Sequence, residues 1–409
     1  MKLCVFTENY QRGGIDTFIV SLVNAWPEGM DELTLFTNAE NPFEPHLKER
    51  LNRPVRIIKY ENRITRQTNR LVNQFTTSRT SFFQLILNRI FELINVLLFP
   101  FLVYNLYKQL KQLNIDSLLV VNGGYPGGIN CRASSVAGCV LLTKNGVVFS
   151  FHNYSVDPKK VRRIVEAPID FLVSRSTKTI VSVSASCLSS INNRYFLRSN
   201  PRRQVIFNGI EDPGLLNVKN EVLKNHKIED YCIVIGAIEP RKGHDFLLDA
   251  FRYVVESNPN VFLLIAGKGS AQEEERIAIR INLLGLNERV VLLGYIEDVD
   301  ELIRKSSVML VPSQSYESFG LTIIEAMGRK VPVVATKIGG IPEVLGSNIG
   351  GIVCPSNDPR VFALTILQFL ENKEFAHKVG CEGRLRFEQK FTSNMMALNY
   401  RNVLKVDLK

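Results

Sequence analysis

The sequence predicts an α/β protein made of two Rossmann-like, doubly wound domains facing each other across a cleft. Three observations predict it. Short runs rich in Val, Ile, Leu and Phe alternate with stretches of helical spacing along most of the 409 residues. The runs are apolar throughout, as strands covered on both faces of a parallel sheet are. The alternation then starts again after a polar, turn-rich stretch, EDPGLLNVKNEVLKNHKIED, at 211–230. At roughly 150 residues per domain, the length allows two or three such units.

The first run is KLCVFT at 2–7. A Gly-rich turn, QRGG, follows at 11–14, and IDTFIVSLVNAW then has apolar residues at helical spacing. Further strands are predicted at LTLFT (33–37), VRIIKY (55–60), SLLVVN (117–122), GVVFSFH (146–152), KTIVSVS (178–184) and RQVIFNG (203–209). In the second half YCIVIGAI (231–238) leads into a helix, HDFLLDAFRYVVES, and VFLLIAGKG (261–269) into a charged one. RVVLLGYI (289–296), VMLVPS (308–313) and VPVVAT (331–336) continue the second sheet, and FTSNMMALNYRNVLKV (391–406) reads as a final helix. The predicted domains are 1–210 and 211–390, with 391–409 as a C-terminal helix. Ligands of such folds bind beyond the carboxyl ends of the strands. With two units, the predicted site is the cleft between them.

Composition narrows the class. Apolar residues make up 45% and charged residues 22%, which excludes disorder, collagen-like repeats and a chain of spanning helices. The formal charge of +10 is uneven, because residues 1–195 hold 23 basic and 14 acidic side chains. Lys48 to Arg89 alone has ten basic residues against Glu49 and Glu61. Such a surface attracts anions: nucleic acid, anionic lipid or a phosphorylated substrate. None of the seven cysteines forms a Cys-x-x-Cys pair, so buried, reduced thiols and a reducing cytoplasm are expected. MKLCVFTENY turns polar too early for a signal peptide. Residues 82–107 are strongly apolar, but Arg89, Glu92, Asn95 and Pro100 interrupt them. They fall short of the roughly 20 residues of a membrane span and read either as a buried helix pair or as a helix lying on a membrane surface.

The densest chemical signal is PSQSYESFGLTIIEAMGRKVPVVATKIGGIPEV at 312–344. Ser318, Phe319 and Gly320 fall at the N-terminus of a helix, where free backbone N–H groups and the helix dipole suit a phosphate. Glu317 stands just before that helix and Glu325 eight residues later. A carboxylate accepts both hydrogen bonds of a vicinal diol, so the two could grip a sugar on each side of a diphosphate. The second signal is IGAIEPRKGHD at 235–245, where Arg241 and Lys242 follow the first strand of the second unit and could neutralise a diphosphate. The GKG at 267–269 lacks the rest of a Walker P-loop.

Together with RGGIDTFIVSL (12–22), FSFHN (149–153), VSVSASCLSSI (181–191), VIFNGI (205–210) and VVLLGYIED (290–298), these strings resemble the retaining glycosyltransferases of family four, which have the GT-B fold. The likeness runs from residue 12 to about 345, and the tail resembles the family's last helix, which crosses back onto the first domain. It implies that Arg241 and Lys242 hold the donor diphosphate and that Glu325 binds the nucleotide ribose. Glu317 would contact the donor sugar, with Phe319, Gly320 and Leu321 giving backbone contacts. Gly13 and Gly14 would form a loop facing donor phosphate and acceptor, and His152 would sit beside the reacting sugar. Many members have Gly-Arg where this chain has Gly236-Ala237, and Arg241 would supply that guanidinium.

The implied reaction moves a sugar from a nucleotide-diphosphate sugar to a hydroxyl with retention, helped by closure of the two domains. No protein nucleophile and no Asp-x-Asp metal site is apparent, so no metal and no cofactor beyond the donor are expected. The basic region and the 82–107 segment point to a glycan or lipid-linked acceptor and to peripheral contact with an anionic membrane. That would place a cytoplasmic enzyme of envelope polysaccharide assembly on the inner face. No recognised nucleic-acid motif is present. Two other readings stay open: another GT-B enzyme such as a nucleotide-sugar epimerase, and a non-catalytic sugar-nucleotide-binding subunit.

Overall fold

The computed structural model describes residues 1–10, 13–27, 29, 31–42, 44–61, 94, 96–143, 146–158, 161–200, 202–214, 228, 230–346 and 348–405. Most of the predicted linker, the first part of the 82–107 segment and much of the basic Lys48–Arg89 region lie outside them. By internal contacts the chain divides into Met1–Ile206 with Met396–Lys409, and Phe207–Met395.

The first unit is built on β1 (Lys2–Thr7), β2 (Glu32–Asn38), β3 (Arg56–Tyr60), β4 (Ser117–Asn122), β5 (Val147–Phe151), β6 (Thr179–Ser182) and β7 (Arg203–Val205). Among the described residues these form one sheet in the order β3-β2-β1-β4-β5-β6-β7, and every pairing is parallel. β4 and β5 are buried along their whole length, which is why their sequences carry no polar alternation. The last strand is shorter than the apolar run RQVIFNG suggests. Strand pairing ends at Val205 and Ile206 still packs in the core of the first unit, whereas Phe207 and Ile210 serve the second, where Phe207 packs on Phe391 and Ile210 bridges Thr392.

The helix Ser393–Leu404 closes the core of the first unit. Met396, Ala397, Tyr400 and Leu404 lie on one helical face and are buried against Phe18, Leu22, Leu119 and Val148. Ser117 Oγ donates to the Leu404 carbonyl at 3.2 Å, and Arg401 Nε to Asp31 at 3.2 Å. Elsewhere in this unit, fully buried Arg194 pairs with Glu166 at 2.7 Å and Asp170 at 3.0 Å and donates to the Val156 carbonyl at 2.8 Å. That pins the chain just beyond the end of β5.

The second unit holds β8 (Tyr231–Ile235), β9 (Phe262–Ala266), β10 (Val290–Gly294), β11 (Val308–Val311), β12 (Val333–Thr336) and β13 (Gly351–Cys354). Their order is β10-β9-β8-β11-β12-β13, again all parallel. β13 was not predicted: Gly-Ile-Val-Cys is too short and too glycine-rich to signal a strand by itself. The seven cysteines are all free thiols, five of them buried. No helix among the described residues is long and apolar enough to cross a membrane.

The ends of β8 and β9 touch through backbone. A Cβ on Gly267 would lie 1.8 Å from the Gly236 carbonyl oxygen, and Ile238 N–H donates to the Lys268 carbonyl at 3.1 Å. The GKG string is therefore a packing device that lets two loops meet. Gly267→Ala should lower the urea-unfolding free energy by about 1–3 kcal/mol with an unchanged slope. A loss under about 0.5 kcal/mol would show that the two loops can separate freely.

Candidate active site

In the second sheet the chain winds from β8 out to β10 on one side and from β11 out to β13 on the other. The order reverses between β8 and β11, and ligands of open α/β sheets bind at such a switch point. The two strings singled out by sequence, EPRKG and the block beginning at Pro312, leave the carboxyl ends of these two neighbouring strands.

After β8 the backbone passes Gly236, whose φ of 151° only glycine adopts easily. Pro240–Lys242 form a single 3₁₀ turn that ends at Gly243 with φ 75°. A side chain on Gly243 would meet the Pro312 carbonyl oxygen at 2.0 Å, and Gln314 N–H donates to the Arg241 carbonyl at 2.8 Å. The turn that carries Arg241 and Lys242 is thus stitched to the segment that carries Glu317.

The side chains converge accordingly. Lys242 Nζ donates to Glu317 Oε2 at 2.6 Å, Ser313 Oγ approaches the same oxygen at 3.4 Å, and Arg241 Nη1 lies 3.7 Å from it. Arg241 also pairs with Glu239 at 2.5 Å, and its guanidinium lies 5.1 Å from the Tyr316 ring centroid. Ser313, Tyr316 and Glu239 were not singled out from sequence, although each lies within a few residues of one that was. Glu317 is buried, and its carbonyl accepts from Gly340 N–H at 2.8 Å.

Gly320 takes φ 91° and opens the helix Leu321–Gly328. A side chain there would be strained by that φ and would crowd Ile323 Cδ1 at 2.8 Å, so the helix start needs glycine. Phe319 points away from it, buried among Phe207 and Phe391. Glu325 lies one and a half turns along the same helix, half-buried, with no hydrogen bond from its carboxyl to a described residue. Burial pushes that carboxyl above the ordinary carboxylate range, against the charge of Arg329.

Gly13, Gly14 and His152 lie in the first unit, at the carboxyl edge of its sheet. Gly13 is extended, and its N–H donates to Asp16 Oδ2 at 3.0 Å. Asn9 Nδ2 donates to the other Asp16 oxygen at 2.7 Å. Gly14 begins the helix Gly14–Asn24. His152 follows β5, and its N–H donates to the carbonyls of Asn122 and Gly123 at 3.0 and 2.9 Å. Its ring lies 4.1 Å from Phe18, with Nε2 3.1 Å from Ser150 Oγ. Sequence reading also passed over Glu8, which is buried at the end of β1 and accepts from Asn130 N–H and Nδ2, both at 2.9 Å.

His244 sits directly beneath the Arg241–Lys242 turn. It is buried, and its ring meets no well-formed hydrogen-bond partner among the described residues beyond a weak approach to the Glu239 backbone. Burial holds its pKa down at about 4, with Asp245 opposing the shift and Lys242 and Arg276 adding to it. The unfolded chain takes up this proton near the usual value of 6.5, so native stability is kept above that pH and lost as pH falls toward 4. The loss should reach roughly 3 kcal/mol. His244→Leu should flatten the decline in urea midpoint between pH 7 and pH 5. An equal decline in both proteins would assign it to other groups.

Residues 218–386 match the family model described as glycosyl transferases group 1. An uncharacterized glycosyltransferase of Methanocaldococcus jannaschii is 30% identical over 220 residues, which are 53% of this chain and 58% of that one. A phosphatidyl-myo-inositol mannosyltransferase of Mycobacterium leprae is 30% identical over 170 residues, 40% of this chain and 44% of that one. The match therefore spans about half the length of these curated relatives. Anabaena HepE, solved in complex with UDP, aligns with a TM-score of 0.73 at 16% identity, covering 99% of each chain. Its fold is shared here: two parallel sheets with intervening helices, the GT-B architecture. Through residues 218–386, in its second unit, this chain is similar to the group-1 glycosyl transferases.

Proposed function

We propose that the chain transfers a sugar from a nucleotide-diphosphate sugar to a hydroxyl of a glycan or lipid-linked acceptor, retaining the anomeric configuration and using no metal. The observation that carries this reading is the convergence of Lys242 and Arg241 on Glu317, at the switch point of the second sheet and in the same block as the glycine-opened helix at Gly320. The HepE complexes with UDP and with UDP-glucose support a nucleotide-sugar donor.

In the reaction the bond from the anomeric carbon to the diphosphate oxygen breaks, and its electron pair leaves with the diphosphate. Lys242 and Arg241 balance that growing charge, as a divalent ion would, and the amides at 319–321 add fixed dipoles. The acceptor oxygen forms the new bond on the same face, and its proton passes to the departing phosphate. Glu317 orients donor-sugar hydroxyls, and Glu325 accepts from the ribose diol. His152, Gly13 and Gly14 serve the sugar and acceptor side.

A lipid-linked acceptor is supported by exposed aromatic rings of the first unit. The helix Phe99–Lys111 buries Phe99, Leu102, Leu106 and Leu110 and turns Phe101 and Tyr104 outward. Lys108 stands 4.5 Å from the Tyr104 ring centroid. On two further helices of the first unit, Val161–Ser176 and Tyr195–Arg198, exposed Phe171 and Tyr195 carry Arg175 and Arg198 at 5.8 and 5.0 Å. Apolar rings capped by cations suit an anionic lipid surface. On this reading the enzyme works in the cytoplasm, peripheral on the inner face of the membrane, in envelope polysaccharide assembly.

Nucleotide release from candidate donors, with acceptor present, tests the chemistry. Lys242→Ala and Glu317→Ala should each lower turnover by about 10²–10³. Wild-type turnover in both variants would remove the site. For the membrane contact, the protein should sediment with phosphatidylglycerol vesicles at low salt, and Phe101→Ser with Tyr104→Ser should release it. Equal recovery with neutral vesicles would sink that part.

A further inference from the structure

The ring of His152 is held by groups from three distant parts of the chain. Phe18, from the helix that follows Gly13 and Gly14, covers one side at 4.1 Å. Ser150, two residues earlier on β5, brings Oγ to 3.1 Å from Nε2. Behind Ser150 stands Tyr400 of the last helix, with its hydroxyl 2.7 Å from the same Oγ. Tyr400 is fully buried, and its ring packs edge-on against Phe18 at 5.4 Å. The three side chains therefore form a continuous line, Tyr400 Oη to Ser150 Oγ to His152 Nε2.

The direction of donation along this line follows from where its protons can go. If His152 Nε2–H donated to Ser150, one hydroxyl proton would have no acceptor among the described residues: that of Tyr400 if Ser150 donated to it, or that of Ser150 if Tyr400 donated to Ser150. A buried hydroxyl proton with no acceptor is costly. In the opposite direction every donor is used: Tyr400 donates to Ser150, and Ser150 donates to Nε2. Nε2 is then an acceptor, and the imidazole proton sits on Nδ1.

We infer that Tyr400 is a positioning residue for His152, acting through Ser150 to hold the imidazole neutral with its proton on Nδ1. The last helix, anchored by Leu404 and Arg401, thereby sets the hydrogen-bonding character of a group at the carboxyl edge of the first sheet. The consequence for turnover rests on the proposal that His152 faces the reacting sugar; the consequence for the ring does not.

Nitrogen-15 spectra of protein labelled at histidine read the tautomer directly. The chain has five histidines, and the His152 signals are those lost in His152→Gln. The wild type should show Nδ1 protonated and Nε2 bare. Tyr400→Phe keeps the ring that packs on Phe18 and removes only the hydroxyl. It should shift His152 toward protonation at Nε2 and lower kcat about tenfold, with the donor KM within about twofold. Ser150→Ala should shift the tautomer as well, whereas Ser150→Thr, which keeps a hydroxyl, should hold the wild-type form. An unshifted tautomer in Tyr400→Phe overturns the inference, and so does an unshifted one in Ser150→Ala. A shifted tautomer together with full turnover in His152→Gln upholds the positioning role and overturns the sugar-facing role of His152.

Discussion

The site of the second unit depends on one buried carboxylate holding two cations. Arg241 and Lys242 are adjacent in sequence, and without a counter-charge they would repel and swing toward water. Glu317 prevents this by accepting Lys242 at 2.6 Å and drawing Arg241 to 3.7 Å. Two cations held in this way are fixed in place before any anion arrives, and in the proposed reaction preorganised charge is what would lower a barrier in which negative charge develops. Ser313, Glu239 and Tyr316 are the supports of that arrangement. They hold its members in one geometry, and because two carboxylates match two cations in formal charge, an arriving anion has to compete with Glu317 and Glu239 for them.

The backbone makes this convergence possible. A basic turn and an acidic turn meet because β8 and β11 are neighbours at a switch point, and because glycine stands where the loops approach most closely. Gly243 against Pro312, and Gly267 against Gly236, leave no room for a side chain. Each close contact brings a loop within reach of the next, so the ion pair rests on backbone packing as much as on charge. His244 belongs to the same packing: it is buried neutral under the turn, next to two cations that oppose its protonation.

The first unit works by a different principle. Its sheet edge is lined by buried polar groups that bind one another: Glu8 with Asn130, Asp16 with Asn9, and Arg194 with Glu166 and Asp170. Satisfied networks of this kind stiffen the loops they join. The line from Tyr400 to His152 extends the same logic to the last helix, which is the one element of this unit drawn from the far end of the chain.

The sequence by itself determined the class of fold, because a strand buried on both faces has to be apolar throughout and its covering helix has to show a 3.6-residue period. It also singled out the residues proposed for the second-unit site. Lys242, Arg241, Glu317, Gly320 and Glu325 lie in two short strings whose turn and helix signals are local. Tertiary structure alone decided the rest. The shortened β7 and the unpredicted β13 depend on which core each apolar residue joins. The pairing of Lys242 with Glu317 crosses 75 positions, and that of Ser150 with Tyr400 crosses 250. Local pattern records which face of an element is apolar; it carries no record of which distant side chain will meet it once the sheets have formed.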